Sequence, residues 1–215
     1  AFTDMIAVDR YSLFFKILIA ASLAMCTLMS ERRVDAGDIQ PAEFHALLLL
    51  ASTGMMLAVS ALNLLTLYLG LELMTLCSYI LVGITVNKPT ANESAIKYFL
   101  LGSFASALFL YGISLTYGIT GATDFVAIYN AISEHGLGNN PILLAAIGLL
   151  ISGLAFKIAA FPFHAWAPDA YQGASAPVAA FLATASKAAG IAALGRVCLF
   201  ALYSEAQVMS IILIG

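Results

Sequence analysis

Six apolar runs, each about as long as a helix needs to be to cross the hydrocarbon of a bilayer, follow one another along this chain. A span takes roughly 20 residues at about 1.5 Å per residue. The runs fall at 11–29, 43–60, 63–85, 94–119, 141–161 and 176–203, and a seventh starts at 207. The 43–85 stretch is too long for one span, and Ser60 and Asn63 supply the turn signal that divides it. The fold class that follows is all-α, a polytopic transmembrane helix bundle. A chain that is 62% hydrophobic and 10% charged cannot clothe a soluble core of this size in polar residues.

The connections are short and readable. "ERRVDAGDIQPAE" (31–43) is a loop, and "TDFVAIYNAISEHGLGNNP" (123–141) is a longer one with room for a short surface helix. "TANE" (90–93) fits a capping box with Thr90 as N-cap, and Glu93 precedes Lys97 by the four residues that favour a helical ion pair. Arg32, Arg33 and Lys88 fall in loops on one side, against Arg10 on the other, so the positive-inside rule expects that side to be cytoplasmic and residue 1 to lie outside. The chain opens at Ala1 with no basic n-region and stops within "VMSIILIG", which is expected of an internal piece of a longer membrane protein without a cleavable signal.

Several chemistries have no support in these residues. A net charge of −3 argues against a nucleic-acid partner. Cys26, Cys77 and Cys198 lie in apolar runs without metal-ligand spacing and are expected to be small packing residues. No phosphate loop or redox-cofactor fingerprint occurs, so no cofactor and no metal are expected on this segment.

The charges inside the apolar runs are the informative ones. A charge at a helix centre costs about 2.5–3.5 kcal/mol on insertion scales. Lys16, Lys97, Lys157, Lys187 and Arg196 nevertheless lie in spans, as does Glu72. Lys16 and Arg196 are close enough to span ends to snorkel to the headgroups. Lys97 has Glu93 as a partner that is either purely local or part of the function. Glu72, Lys157 and Lys187 are too deep for either escape and should face the bundle interior, where they pair or titrate. Tyr68, Glu72, Thr75 and Tyr79 recur at three- and four-residue intervals and form one polar stripe. The small residues of "ATASKAAG" around Lys187, and Gly153 one turn before Lys157, let helix backbones approach closely.

Pro162 follows Lys157 by five residues, so the bundle contains a proline-broken helix. Freed carbonyls within a membrane are tolerated only where protein or a water-filled cavity satisfies them. Broken helices also recur in ion-translocating proteins. Pro162 is therefore expected to bring water or a carbonyl beside the Lys157 ammonium. His164 would extend that route toward the cytoplasm, or would act as a structural hydrogen bonder. Asp169, Tyr171 and Gln172 read as loop-shaping residues.

The segments "LGLELMTLCSYILVG", "NESAIKYFLLG" and "GLAFKIAAFPFHAWAPDAYQGASAPVAAFLATASKAAG" resemble the N-subunit family of bacterial proton-pumping NADH:quinone oxidoreductase, respiratory complex I, over most of 43–203. The resemblance implies the first half of an inverted-repeat, antiporter-like fold. Residues 1–42 would be a preceding transmembrane helix and cytoplasmic loop, 43–203 the first five-helix repeat and its proton half-channel, and 204–215 the truncated start of the second. It also implies proton translocation through Glu72, Lys157, Lys187 and Lys97, with His164 and Tyr68 on a secondary path. Quinone reduction elsewhere in the complex would drive it. The implied partners are other antiporter-like and small helical membrane subunits, the lipid bilayer and protons, in the bacterial inner membrane, with no direct contact to NADH or quinone. An Mrp-type cation/proton antiporter subunit without redox coupling is the alternative. A structural module with inert buried ion pairs is a third reading.

Overall fold

The computed structural model describes residues 5–35, 40–85 and 87–202. The helices in chain order are α1 (Arg10–Asp35), α2 (Pro41–Ser60), α3 (Leu64–Val82), α4 (Pro89–Thr120), α5 (Phe125–Glu134), α6 (Pro141–Ile158), α7 (Trp166–Gly173), α8 (Ala176–Phe181) and α9 (Lys187–Arg196). A π-helical turn, Leu182–Ser186, joins α8 to α9. Among the described residues six helical stretches are long and apolar enough to cross a membrane, the last of them Ala176–Leu199. They match the six runs expected from hydropathy, and α5 is the short helix expected in the 123–141 loop. The seventh run, from 207, lies outside the described residues.

Each start has a local cause. Pro41, Pro89 and Pro141 open α2, α4 and α6, where a missing N–H removes no helical bond. Asn63 caps α3 through its side-chain oxygen to the Leu65 N–H at 2.8 Å, and Asn140 does the same for Ile142 at 2.9 Å. The Thr90 capping box does not form. Lys88 is the N-cap and Pro89 the first helical residue, so proline's pre-set φ starts the helix two residues early and leaves Thr90 inside it. The Glu93–Lys97 pair does form, at 2.7 Å.

Tight backbone crossings hold the bundle. A Cβ on Gly54 of α2 would lie 2.6 Å from the Met74 nitrogen, and one on Gly70 of α3 would lie 2.7 Å from the Ala58 nitrogen. Only hydrogen side chains allow α2 and α3 to approach this closely. α4 packs against α6 and α7, and α9 against α6 and α2.

Six crossings return the chain to the side on which it started, and a buried ion pair closes that circuit. Arg196 is 0% exposed and donates through Nη2 to Asp9 Oδ1 at 2.8 Å and through Nε to the Val59 carbonyl at 3.2 Å. Its guanidinium carbon lies 5.0 Å from the centre of the Tyr11 ring. The expectation that Arg196 snorkels is therefore wrong. A cation near a span end can also turn inward when another helix end presents an acid, and Asp9, next to the start of α1, does so. Asp9 accepts from the Ser12 N–H as well, at 2.7 Å, which anchors the first turn of α1.

Burial alone would raise the Asp9 carboxyl, but the bonds from Arg196 and Ser12 outweigh it and hold the group at about 2, against an ordinary 3.8. A depressed carboxylate contributes stability above its unfolded value and loses it as pH falls through the folded one. The clamp should be complete above about pH 4 and weaken toward pH 2. Asp9→Asn should cost about 1–2 kcal/mol at neutral pH, a figure discounted for the partly exposed carboxylate. Thermal unfolding of the protein in detergent should show the two forms converging as the pH is lowered from 4 to 2.

Candidate functional site

The break beside Lys157 is made by the backbone of α6 before Pro162 is reached. Ala159 adopts a left-handed φ of 54°. Its N–H donates to the Phe156 carbonyl at 3.0 Å, and the Ala160 N–H reaches back to Ala155 at 2.9 Å. This paired pattern terminates a helix and satisfies two of its last carbonyls. The Trp166 indole N–H, from the first residue of α7, also donates to the Phe156 carbonyl, at 2.9 Å. The two sides of the break are thus joined by a side chain.

Lys157 falls in the last turn of α6, where the negative end of the helix dipole favours a cation. The residue is 4% exposed. Its ammonium has three protons to place and three acceptors around it. Thr75 Oγ1 lies at 3.3 Å, Ser106 Oγ at 3.5 Å and Glu72 Oε1 at 3.6 Å. Thr75 sends its own proton to the Leu71 carbonyl at 2.8 Å, so its oxygen is free to accept. Ser106 donates to Glu72 Oε1 while facing the ammonium. Lysine and glutamate therefore share a hydroxyl, and their direct contact is longer than the roughly 2.7–2.9 Å of a tight charge-assisted bond. Glu72 is central in α3, so its partner Lys157, and with it the end of α6, lies at the middle of that span. Gly153, one turn earlier, fits against Phe109, whose Cδ2 would lie 3.0 Å from an added Cβ.

Lys187 occupies a separate seat. It follows the π-helical turn directly, a distortion frequent at functional sites. Its ammonium lies 4.5 Å from the centre of the Trp166 ring and 6.0 Å from that of Tyr171. The nitrogen is buried and has no hydrogen-bond partner among the described residues. It lines an open cavity of about 310 Å³ together with Ile158, Ala159, His164 and Tyr171. A Cβ on Gly190, one turn on, would lie 2.7 Å from Ile158 Cγ2, so α9 presses on the broken end of α6.

Of the expected site residues, Glu72 and Lys157 meet, and Lys187 and His164 share the neighbouring cavity. Tyr68 is half-buried one turn before Glu72 and stacks on Phe109 at 6.3 Å. Lys97 is not brought to the other lysines. Its side chain is 46% exposed and pairs with Glu93 and, at 3.5 Å, with Asp169 of α7. Pro162 does not put a carbonyl on the Lys157 ammonium, whose protein partners are two hydroxyls and a carboxylate. Pro162 lies in the turn after the break and lines an apolar cavity of about 180 Å³ with Phe104, Phe156 and Trp166. Sequence reasoning overlooked Ser106, Trp166 and the Asp169 contact. Ser106 is one of four serines on α4, so it had only a weak signal, and nothing local marked the other two. Among the described residues no cluster of His, Cys, Asp and Glu could hold a metal ion.

A membrane bundle whose broken helix ends on a lysine, held against a glutamate from another span, defines a multi-pass protein built around an intramembrane titratable pair. Residues 61–215 match the family model described as NADH:quinone oxidoreductase/Mrp antiporter, TM, and the chain belongs to that family. It is similar to NADH-quinone oxidoreductase subunit N 1 of Koribacter versatilis, at 43% identity over 99% of this chain and 42% of that protein. Subunit N of Desulfitobacterium hafniense is 46% identical over 93% of this chain and 40% of its own length. A chain of respiratory complex I from Thermus thermophilus with bound aureothin superposes with TM-score 0.75 at 40% identity, covering 88% of this chain and 40% of that one. A chain of the Mrp complex from Dietzia sp. gives 0.71 at 26% identity, covering 89% of this chain and 36% of that one. The chain spans about two-fifths of the length of these relatives.

Removing a hydroxyl under a buried ammonium leaves that charge short of a partner. Ser106→Ala should therefore cost about 1–3 kcal/mol. In a Glu72→Gln/Lys157→Met background the same change should cost less than about 1 kcal/mol, because both charges that shared the hydroxyl are gone. Thermal unfolding of the four forms measures the difference.

Proposed function

We propose that the protein is a proton-translocating membrane subunit of an NADH-quinone oxidoreductase. It would carry no redox centre itself and would act in the bacterial inner membrane beside other antiporter-like and small helical subunits. The observation that carries this reading is the Lys157 ammonium, buried at the level of the centre of α3 and held by Glu72 through a shared serine hydroxyl. The names of its relatives, subunit N of that oxidoreductase, support the redox-linked form.

Attraction between unit charges at this separation is worth roughly 4–5 kcal/mol at an effective dielectric of about 20. Moving Glu72 away, or turning the Ser106 hydroxyl from one partner to the other, would remove part of what holds the proton on Lys157. The proton would then pass to a neighbouring acceptor, and Lys187 is the next amine in the bundle. His164, beside Lys187, lies on the mouth of that cavity. Lys97, with Glu93 and Asp169, belongs to the exposed end of α4 and α7, where protons would be collected.

Residue 1 would lie on the periplasmic side. Residues 43–203 would form the first repeat and 204–215 open the second. The Mrp-type alternative has the weaker support of 26% identity, against 40% for the complex I chain.

In the full-length chain within its assembled complex, Lys157→Met should abolish or strongly reduce proton pumping while leaving the methionine well packed. Glu72→Gln should do the same. Pumping by reconstituted vesicles during NADH oxidation is the measurement, and undiminished pumping by an intact Lys157→Met complex would leave the pair as inert structure.

A further inference from the structure

The two lysine sites share no hydrogen bond. Lys157 faces Thr75, Ser106 and Glu72, whereas Lys187 faces the rings of Trp166 and Tyr171. A continuous run of aromatic side chains occupies the space between them. Tyr79, one turn beyond Thr75 on α3, meets Tyr98 of α4 edge-on at 4.7 Å between ring centres. Tyr98 stacks on Trp166 at 4.4 Å, with the planes 9° apart, and Trp166 meets Tyr171 at 6.1 Å. The run thus begins beside the residue under the Lys157 ammonium and ends under the Lys187 ammonium.

Its polar atoms are the unusual part. The Tyr79 hydroxyl, the Tyr171 hydroxyl and the Lys187 nitrogen are all buried with no hydrogen-bond partner among the described residues. Tyr98 is 2% exposed, with its ring against that of Tyr79. A buried hydroxyl without a partner costs about 1–3 kcal/mol, and folded proteins keep few of them. Phenylalanine would fill the same space without that cost. The seat of Tyr79 is also built for it, because a Cβ on Gly102 would come within 2.7 Å of the phenol Cζ. Unpartnered hydroxyls of this kind are the groups that hold bridging water in a protein interior.

We propose, resting on the proton-translocating function above, that Tyr79, Tyr98 and Tyr171 form a lateral hydroxyl route between the Glu72–Lys157 pair and Lys187. The transfer balances simply. The Lys157 ammonium gives up one proton and the neutral Lys187 amine gains one. Each phenol along the way accepts a proton on its oxygen, through hydrogen-bonded water, and releases the one it carried. No tyrosine is left charged. Trp166 carries no exchangeable hydroxyl and serves as the wall that keeps the route narrow and seats Lys187.

The test uses the full-length chain in its assembled complex, reconstituted in vesicles. The double variant Tyr79→Phe/Tyr171→Phe removes two oxygens and keeps the rings, so assembly should be unchanged and thermal unfolding should come at the same temperature or higher. It should lose proton pumping to an extent comparable with Lys157→Met, measured in parallel. A fluorinated tyrosine at 79 keeps the ring and its seat but carries a more acidic hydroxyl, and it should change the pumping rate. Pumping by the double variant at the unaltered rate, with Lys157→Met impaired, would overturn the tyrosine route and leave the lysine function standing. Normal pumping by Lys157→Met would overturn both. Loss in the double variant with no response to the fluorinated residue would assign the tyrosines to packing and overturn the route.

Discussion

A charged amine inside a bilayer must bring its solvation with it, and the rest of this bundle is arranged around how Lys157 does so. The cost of an unpaired ion in a low-dielectric interior is several kcal/mol. The offset comes from three separate spans. α3 supplies a carboxylate and a hydroxyl, α4 a second hydroxyl, and α6 the negative end of its own dipole. That last contribution requires α6 to end where the lysine sits. The break in the helix therefore belongs to the same electrostatic arrangement as the ion pair.

The choice of cation separates structure from function. Arg196 is as deeply buried as Lys157, but a guanidinium does not give up its proton in a protein. It is used where the charge must stay, in a clamp that ties the ends of α1, α2 and α9 through Asp9 and Val59. Lysine, whose ammonium is able to lose a proton, stands at the two interior positions. Lys157 has a full but long set of contacts, and Lys187 rests on aromatic faces that attract a cation without binding its protons. The clamp holds its cation through a charged bond of 2.8 Å and a backbone carbonyl, while the contacts of Lys157 are longer and the Lys187 nitrogen has no hydrogen bond among the described residues. Rigid helix ends surrounding a loosely held interior proton are what the proposed translocation needs.

Small residues make this possible by removing slack. Gly54 and Gly70 bring α2 onto α3, Gly153 takes Phe109, and Gly190 takes Ile158 at the broken end. Close approach leaves the polar groups of neighbouring spans little room to move.

Much of this was determined locally and could be read from the residues. Span length and apolar runs gave six crossings, the spacing of Tyr68, Glu72 and Thr75 gave a polar face on α3, and Pro162 marked a broken helix after Lys157, although the backbone ends α6 at Ala159 before the proline is reached. Periodicity and insertion cost depend only on residues near each other in the chain, which is why these readings held. Partner choice does not. Ser106 lies 51 residues from Lys157, Asp9 lies 187 from Arg196, and Trp166 meets Lys187 only because the chain folds back after the break. Sequence alone determined which side chains could not face lipid. Tertiary structure decided which of them meet, because a buried charge is satisfied by whatever group packing brings within about 3–4 Å, whatever the distance along the chain.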